Sequence, residues 1–381
     1  MLNTSLQRFS TISNEAAMSI TNFLGSVKDN RKPQGKRYSL SSVLRLVLAG
    51  LLCGTNNLAT IHRWSKTLGK KALIDLGFYK GKLLSYSNLT VILRQVDCDD
   101  IAKVMSNLAK NLNRPILHID GKFLKKSNCF GDKLQAQILT TFDDKNNATV
   151  GYEAIEGKNE YQAMLKLLAK GNIKDAIITA DAAFTHEKIL EEIVKQEADF
   201  AISLKGNEVN LMYHTEKLFN EVAEKKLEIK YFQEPIDCVH GRIEQRSIEV
   251  IDMPWEYLNG HKNIKQLCKI TRFREYKNDP KSSTSEVAYM VTSLDKSYNP
   301  ENLLKLNRSH WSCENNLNWV KDAIFLEDKS TISVGNTPFV MSLLRSLSIQ
   351  IIKTVSEKIT ETREMFNRYK FLLWRKFACY G

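Results

Sequence analysis

The sequence predicts an α/β protein in which a mixed sheet carries packed helices, a β-rich insertion interrupts it and an all-α unit precedes it. Three observations support this. Apolar residues recur at helical spacing through the first 110 residues, short β-type runs alternate with helices from about residue 115, and residues 206–300 read as hairpin-like material. At 381 residues the chain exceeds the ~250–300 residues at which one hydrophobic core stops growing, so several domains are expected. The boundaries read as 1–110, 111–205, 206–300 and 301–381.

The first unit takes its helical character from Val43, Leu44, Leu46, Val47, Leu48, Leu51 and Leu52, then Ile61 and Trp64, then Leu89, Ile92 and Leu93. Ahead of them the basic stretch Lys28–Arg37, with Pro33 and Gly35, marks an exposed connection, either a solvated linker or a phosphate-contacting arm. Strands follow at Ile116–Asp120, Leu134–Phe142, Thr149–Ile155, Ala176–Asp181 and Phe200–Lys205, with helices at Asn159–Lys170 and His186–Gln196. Three strands and then helix, strand, helix, strand suit a mixed sheet with helices packed on it. The insertion includes His240–Arg246 and Ile264–Phe273, and from Pro300 the chain returns to helices. Thr337-Pro338 predicts a helix start, with Thr337 as cap and a first-turn proline, running to about Ile352 before a basic aromatic tail, RYKFLLWRKF.

Lysine and arginine outnumber aspartate and glutamate by 55 to 43, a net charge of +12 that favours a polyanionic partner without naming one. Seven scattered cysteines with no C-x-x-C pair argue for reduced thiols, against a zinc ribbon or disulfide frame, and for the cytoplasm. The most apolar run, Leu40–Gly54, contains Arg45 and is too short to span a bilayer. No secretory leader is read at the start, and no membrane association is expected.

Two apolar strands each end in an aspartate followed by a small residue, Asp120-Gly121 and Asp181-Ala182. Carboxylates delivered to strand ends of an α/β sheet can share hard cations, although a single strand-end aspartate is more often a turn former or helix cap. A later helix, Leu303–Phe325, would place His310, Glu314 and Lys321 on one stripe and Trp311, Asn315 and Asn318 on a neighbouring one. It would then present Glu314 to the aspartates and Lys321 to a phosphate. Asp322, Glu327 and Asp328 are nearby alternatives for a third carboxylate, with Glu327 and Asp328 placed after the helix. Such a cluster suits phosphodiester chemistry with paired Mg²⁺ or Mn²⁺ ions, and the lack of paired His and Cys disfavours zinc.

The motifs IDGK (119–122), ADA (180–182), SLKGN (203–207), HGRIEQR (240–246) and HWSCENNLNWVKDAIFLEDKS (310–330) occur in that order. Together they resemble the DDE-type insertion-sequence transposases of the ISAs-type and H-repeat-associated group. Gly35–Leu40, Leu52–Gly54 and Ile61–Trp64 resemble that group's associated amino-terminal domain. The resemblance implies an RNase H-like catalytic core with Asp120, Asp181 and Glu314 as the catalytic, metal-holding triad. It also implies two Mg²⁺ or Mn²⁺ ions and no small-molecule cofactor. The expected partners are double-stranded DNA, as terminal inverted repeats and target, and a second copy of the chain in a homodimer; the place of action is the bacterial cytoplasm, at the nucleoid. The broader signature Y-x2-R-x3-E-x6-K keeps Glu314 and Lys321 but has Asn307 and His310 in its first two places, while Asn318 and Cys313 stand where the group has His and a branched aliphatic residue.

The expected DNA contacts are Lys122, Lys205, Arg242, Arg246, His310, Trp311 and Lys321. Arg242, Glu244 and Arg246 share one strand face and read either as DNA contacts or as a salt-bridged ladder. Trp255 and Trp311 read first as buried packing and second as stacking platforms for an extruded base. Metal-dependent strand cleavage and transfer is the leading function. A stand-alone metal nuclease and an inactive or domesticated DNA-binding descendant are the alternatives.

Overall fold

The computed structural model describes residues 24–108, 114–125, 136–155, 157, 159–239, 241–254, 261–276 and 279–370. Helices come first: α1 (Leu40–Leu52), α2 (Leu58–Ser65), α3 (Lys70–Asp75), α4 (Tyr86–Arg94) and α5 (Cys98–Leu108). The sheet then begins with β1 (Ile116–Leu124), β2 (Ala136–Asp143) and β3 (Ala148–Ile155), followed by α6 (Glu160–Lys170), β4 (Ile177–Ala180), α7 (Glu187–Lys195) and β5 (Asp199–Leu204). Next come α8 (Val209–Asn220), β6 (Ile229–Gln233), β7 (Asp237–Val239), β8 (Arg242–Asp252), β9 (Gln266–Tyr276) and β10 (Asp279–Thr292). The chain finishes with α9 (Pro300–Ser309), α10 (Trp319–Ala323), α11 (Thr337–Lys353) and α12 (Ile359–Arg368).

The chain forms two compact units. One comprises Met1–Leu112, Gly121–Ala163 and Glu314–Gly381; the other comprises Asn113–Asp120 and Met164–Cys313. In the first, α1 and α11 are buried almost all round and pack on each other, as helices apolar on every side must. Ser39 starts α1 by accepting the Ser42 backbone N–H, the ordinary N-cap bond. β2 is buried at every residue and runs antiparallel to β3, and α11 covers β3.

In the second unit the first half of β1 pairs in parallel with β4, and β4 in parallel with β5. β10 then pairs antiparallel with β5 and β9, β9 with β8, and β8 with β6 and β7. The sheet is therefore mixed, as expected. Helix α9 inserts Leu303, Leu304 and Leu306 into a core with Ile248, Val250, Ile270 and Met290.

Four expectations need correction. β1 does not end at Asp120, because Gly121 has no positive φ and the strand runs on to Leu124. The residues expected as one helix, Leu303–Phe325, form α9, a short turn Trp311–Cys313, a π-helical turn Glu314–Asn318 and α10. The insertion opens with a helix, α8, and its strands continue the same sheet as β5 through β10. Asn336, not Thr337, caps α11, and its side-chain amide donates to the Val96 carbonyl at 2.8 Å instead of capping. Among the described residues no helix is long and apolar enough to cross a membrane.

Candidate active site

The β1–β4 register sets His118 beside Thr179 and Ile119 beside Ala180. Asp120 comes next on β1, and Asp181 directly follows the end of β4. Side chains alternate across a strand, so His118 and Asp120 share one face of β1 and Ile119 takes the other, with His118, Ile119, Thr179 and Ala180 all buried. Asp181 precedes a one-turn segment, Ala182–Phe184, yet its carboxylate makes no cap hydrogen bond. Its side chain is 59% exposed, which leaves the carboxylate oxygens open to a ligand. The SLKGN loop is tied to this turn, since Asn207 Nδ2 donates to the Ala182 carbonyl at 2.7 Å and Thr185 Oγ1 to the Ser203 carbonyl at 2.9 Å. Lys205, in that loop, is exposed.

Behind the carboxylates lies a chain of polar groups that sequence reasoning missed. His118 Nδ1 is 2.6 Å from Thr179 Oγ1, and the same hydroxyl is 3.0 Å from His310 Nδ1. The other nitrogen of His310, Nε2, lies 3.8 Å from Asp181 Oδ1. Burial pushes the His310 imidazole below its ordinary pKa; Asp181 opposes that shift and Lys205 adds to it. The available signal was a repeated pattern, HID and TAD, with a polar residue two places before each aspartate.

Glu314 belongs to the other unit, where it opens the π-helical turn and is exposed. Among the described residues it makes no ion pair. The extra residue of a π turn shifts the helical register, and exposed Glu314 and buried Lys321 do not share the expected stripe. Lys321 is 1% exposed and donates to Ser342 Oγ at 3.2 Å. Lys122 is 9% exposed, donates to Asp322 Oδ1 at 2.6 Å and to the Asn318 carbonyl at 3.3 Å, and lies 3.2 Å from Glu327 Oε2. Both lysines, expected to meet DNA phosphates, are instead engaged inside the fold. Glu327 is also paired with Arg345 at 3.1 Å. Burial alone would raise the Glu327 pKa, but Lys321, Arg345 and Lys122 outweigh it and hold the carboxyl at about 2. Asp328 pairs with Lys125.

On the insertion, the salt-bridged reading of HGRIEQR describes the geometry. Glu244, 7% exposed, accepts from Arg246 and Arg272 and lies 3.4 Å from Arg242 Nε and 3.6 Å from Arg274 Nε. Arg308 and Arg246 reach Glu234 at 2.7 and 3.7 Å. A cavity of about 150 Å³ is lined by Asp237, Arg242, Glu244, Arg246 and Arg308, where guanidinium groups outnumber carboxylates. Trp311 is 64% exposed, which corrects the expectation of burial. Trp255, His240 and residues 371–377 of the basic tail lie outside the described residues.

Asp120 and Asp181 are thus brought together by strand register, and as hard oxygen donors they fit Mg²⁺ or Mn²⁺ better than softer metals. Among the described residues no three His, Cys, Asp or Glu side chains gather around one point.

Residues 111–348 match the family described as "Transposase DDE domain", and residues 21–109 match that described as "DDE_Tnp_1-associated". The chain is 27% identical over 349 residues to "H repeat-associated putative transposase YhhI" of Escherichia coli (strain K12), covering 86% of this chain and 88% of that protein. It is 25% identical over 350 residues to "Putative transposase YncI" of Escherichia coli O157:H7, covering 88% and 87% respectively. "Putative protein YbfL" of Escherichia coli (strain K12) is 27% identical over 349 residues.

Proposed function

The chain belongs to the transposase DDE domain family, and from that premise we propose that it is the transposase of an insertion sequence, cutting DNA strands at the element's ends and joining them to a target. The observation that carries this reading is that Asp120, on β1, and Asp181, directly after β4, follow the last in-register pair, Ile119 and Ala180, of two parallel strands. The core is read as RNase H-like. This is supported by the antiparallel β2–β3 pair and by β1, β4 and β5 running parallel.

Asp120, Asp181 and Glu314 are the residues that would hold two Mg²⁺ or Mn²⁺ ions, which when bound supply Lewis-acid activation of the attacking oxygen and stabilisation of the leaving one. Lys205, beside the Asp181 turn, and Arg242, on the insertion, supply backbone contacts to double-stranded DNA. Arg246 is already engaged with Glu244 and Glu234 and has less to offer. Trp311 is open to stack on an unpaired base. Residues 1–110 serve end binding or assembly of a homodimer holding two element ends, and the protein acts at the nucleoid in the cytoplasm.

The test is to incubate purified protein and Mg²⁺ with labelled element ends and a target plasmid. Nicked and joined products are expected, and Asp120→Asn and Asp181→Asn should abolish both while leaving DNA binding and thermal melting intact. Nicks without joining would make the protein a nuclease. Binding without nicks would make it an inactive DNA-binding descendant.

A further inference from the structure

His118, Thr179, His310 and Asp181 form a line in which a single hydroxyl stands between two imidazoles. All four belong to the same compact unit. Thr179 Oγ1 has one proton to give, and the atoms facing it on either side are both Nδ1. A neutral imidazole carries one N–H and one lone pair, so the two rings cannot play the same part if the hydroxyl is to be satisfied. If His310 carried its proton on Nδ1, its Nε2 lone pair would face the Asp181 carboxylate at 3.8 Å, lone pair against anion. If Thr179 donates to His310 Nδ1, the proton of His310 sits on Nε2 and points at Asp181. The threonine oxygen then accepts from His118 Nδ1–H. With both rings neutral, only this direction satisfies every facing pair.

We propose that Thr179 and His118 are positioning residues that fix His310 as the Nε2–H tautomer, and that His310 so fixed orients the Asp181 carboxylate for cation binding. The proposal rests on the reading of Asp181 as a catalytic carboxylate. The imidazole is held from both sides. Its backbone N–H is fixed at the end of α9 by the Leu306 carbonyl, at 3.3 Å, and its ring sits edge-on to His118 with centroids 6.1 Å apart. At 3.8 Å the contact to Asp181 is electrostatic, longer than a hydrogen bond. A donated N–H engages one carboxylate oxygen and leaves the other for a cation. This is the part that supporting residues play around metal-binding side chains, where their loss costs about 10–100-fold in metal affinity or activity.

The test uses the full chain labelled with ¹⁵N-histidine. Two-bond nitrogen–proton correlation spectra, with His310 assigned by its loss in His310→Gln, should show His310 protonated at Nε2 and His118 at Nδ1. Thr179→Val, which keeps shape and removes the hydroxyl, should shift His310 toward a tautomer mixture. It should also lower the cleavage rate about 10–100-fold at limiting Mg²⁺, with DNA affinity unchanged. Thr179→Ser should restore both. A wild-type His310 protonated at Nδ1 overturns the proposal without any variant, as does a Thr179→Val protein with unaltered cleavage and resonances. Asp181→Asn, run alongside, tests the underlying reading. If it cuts at the wild-type rate, the catalytic assignment fails, and with it the orienting role of His310, while the tautomer is still decided by the resonances.

Discussion

Exposure separates the carboxylates that an incoming cation can reach from those that the fold itself uses. Glu314 is exposed and, among the described residues, pairs with no basic group, whereas Asp322 is held by Lys122 at 2.6 Å and Glu327 is buried between Lys122 and Arg345. Helical spacing pointed to Glu314 for a different reason, a shared stripe with Lys321, and the π turn removes that reason while leaving the choice. Glu314→Gln is therefore expected to cut cleavage by about 10²–10³-fold, the scale of a lost charge-stabilising group, and to leave stability within about 0.5 kcal/mol. Glu327→Gln should do the reverse. Removing one partner of a buried ion network leaves its cations uncompensated and costs about 3–5 kcal/mol, read as a fall in melting temperature. A Glu327→Gln protein that melts like the wild type but cannot cut would move the third ligand to Glu327. Cys313 shows how far single positions were legible. It is fully buried, as a cysteine acting as a small hydrophobe is.

The segment from Glu314 to Lys329 is held to α11 by charge, and that makes its stability depend on pH in a definable direction. The Glu327 carboxyl is held at about 2 in the folded chain, below its ordinary value of 4.5. A depressed carboxylate stabilises the fold fully above the unfolded value, and the contribution fades as pH falls from about 4.5 to about 2. Urea midpoints measured across that window should fall with pH, and Glu327→Gln should flatten the fall. An unchanged slope in the variant would assign acid sensitivity to other carboxylates. Elements with strong periodicity were legible beforehand. Expected strands at Thr149–Ile155 and Phe200–Lys205 lie within a residue of β3 and β5, because alternation and polar turns bound them on both sides. The break in Leu303–Phe325 was not legible, since Trp311 to Ala323 contains no proline or glycine to mark it. Nor was the passage of β1 through Asp120-Gly121, a pair that reads as a turn in isolation but continues the strand beneath buried Leu139.

For the whole molecule, the net charge of +12 overstates the resemblance of every lysine and arginine to a DNA contact. Lys122, Lys321, Arg345 and Arg363 are buried, and the Arg363 guanidinium donates to the carbonyls of Leu51, Thr55 and Ile324. The cations left facing solvent include Lys28, Lys32, Lys36 and Arg37 ahead of α1, and Lys205 beside the Asp181 turn. Each phosphate neutralised by such a group releases a counterion, so the logarithm of the binding constant should fall linearly with the logarithm of salt, with a slope of about −0.9 per contact. With about six contacts, affinity for duplex DNA would drop roughly 10³-fold between 50 and 200 mM salt. Two substitutions then distinguish cations that meet DNA from cations that hold the fold. Lys205→Ala should make the slope shallower by about 1 and leave melting unchanged. Arg246→Ala should leave the slope nearly intact and lower the melting temperature, because its guanidinium is already bonded to Glu244 and lies 3.7 Å from Glu234. A salt-independent affinity would remove the electrostatic basis of DNA binding altogether, and an Arg246→Ala slope shallower by 1 would return the Glu244 cluster to the DNA-contacting surface.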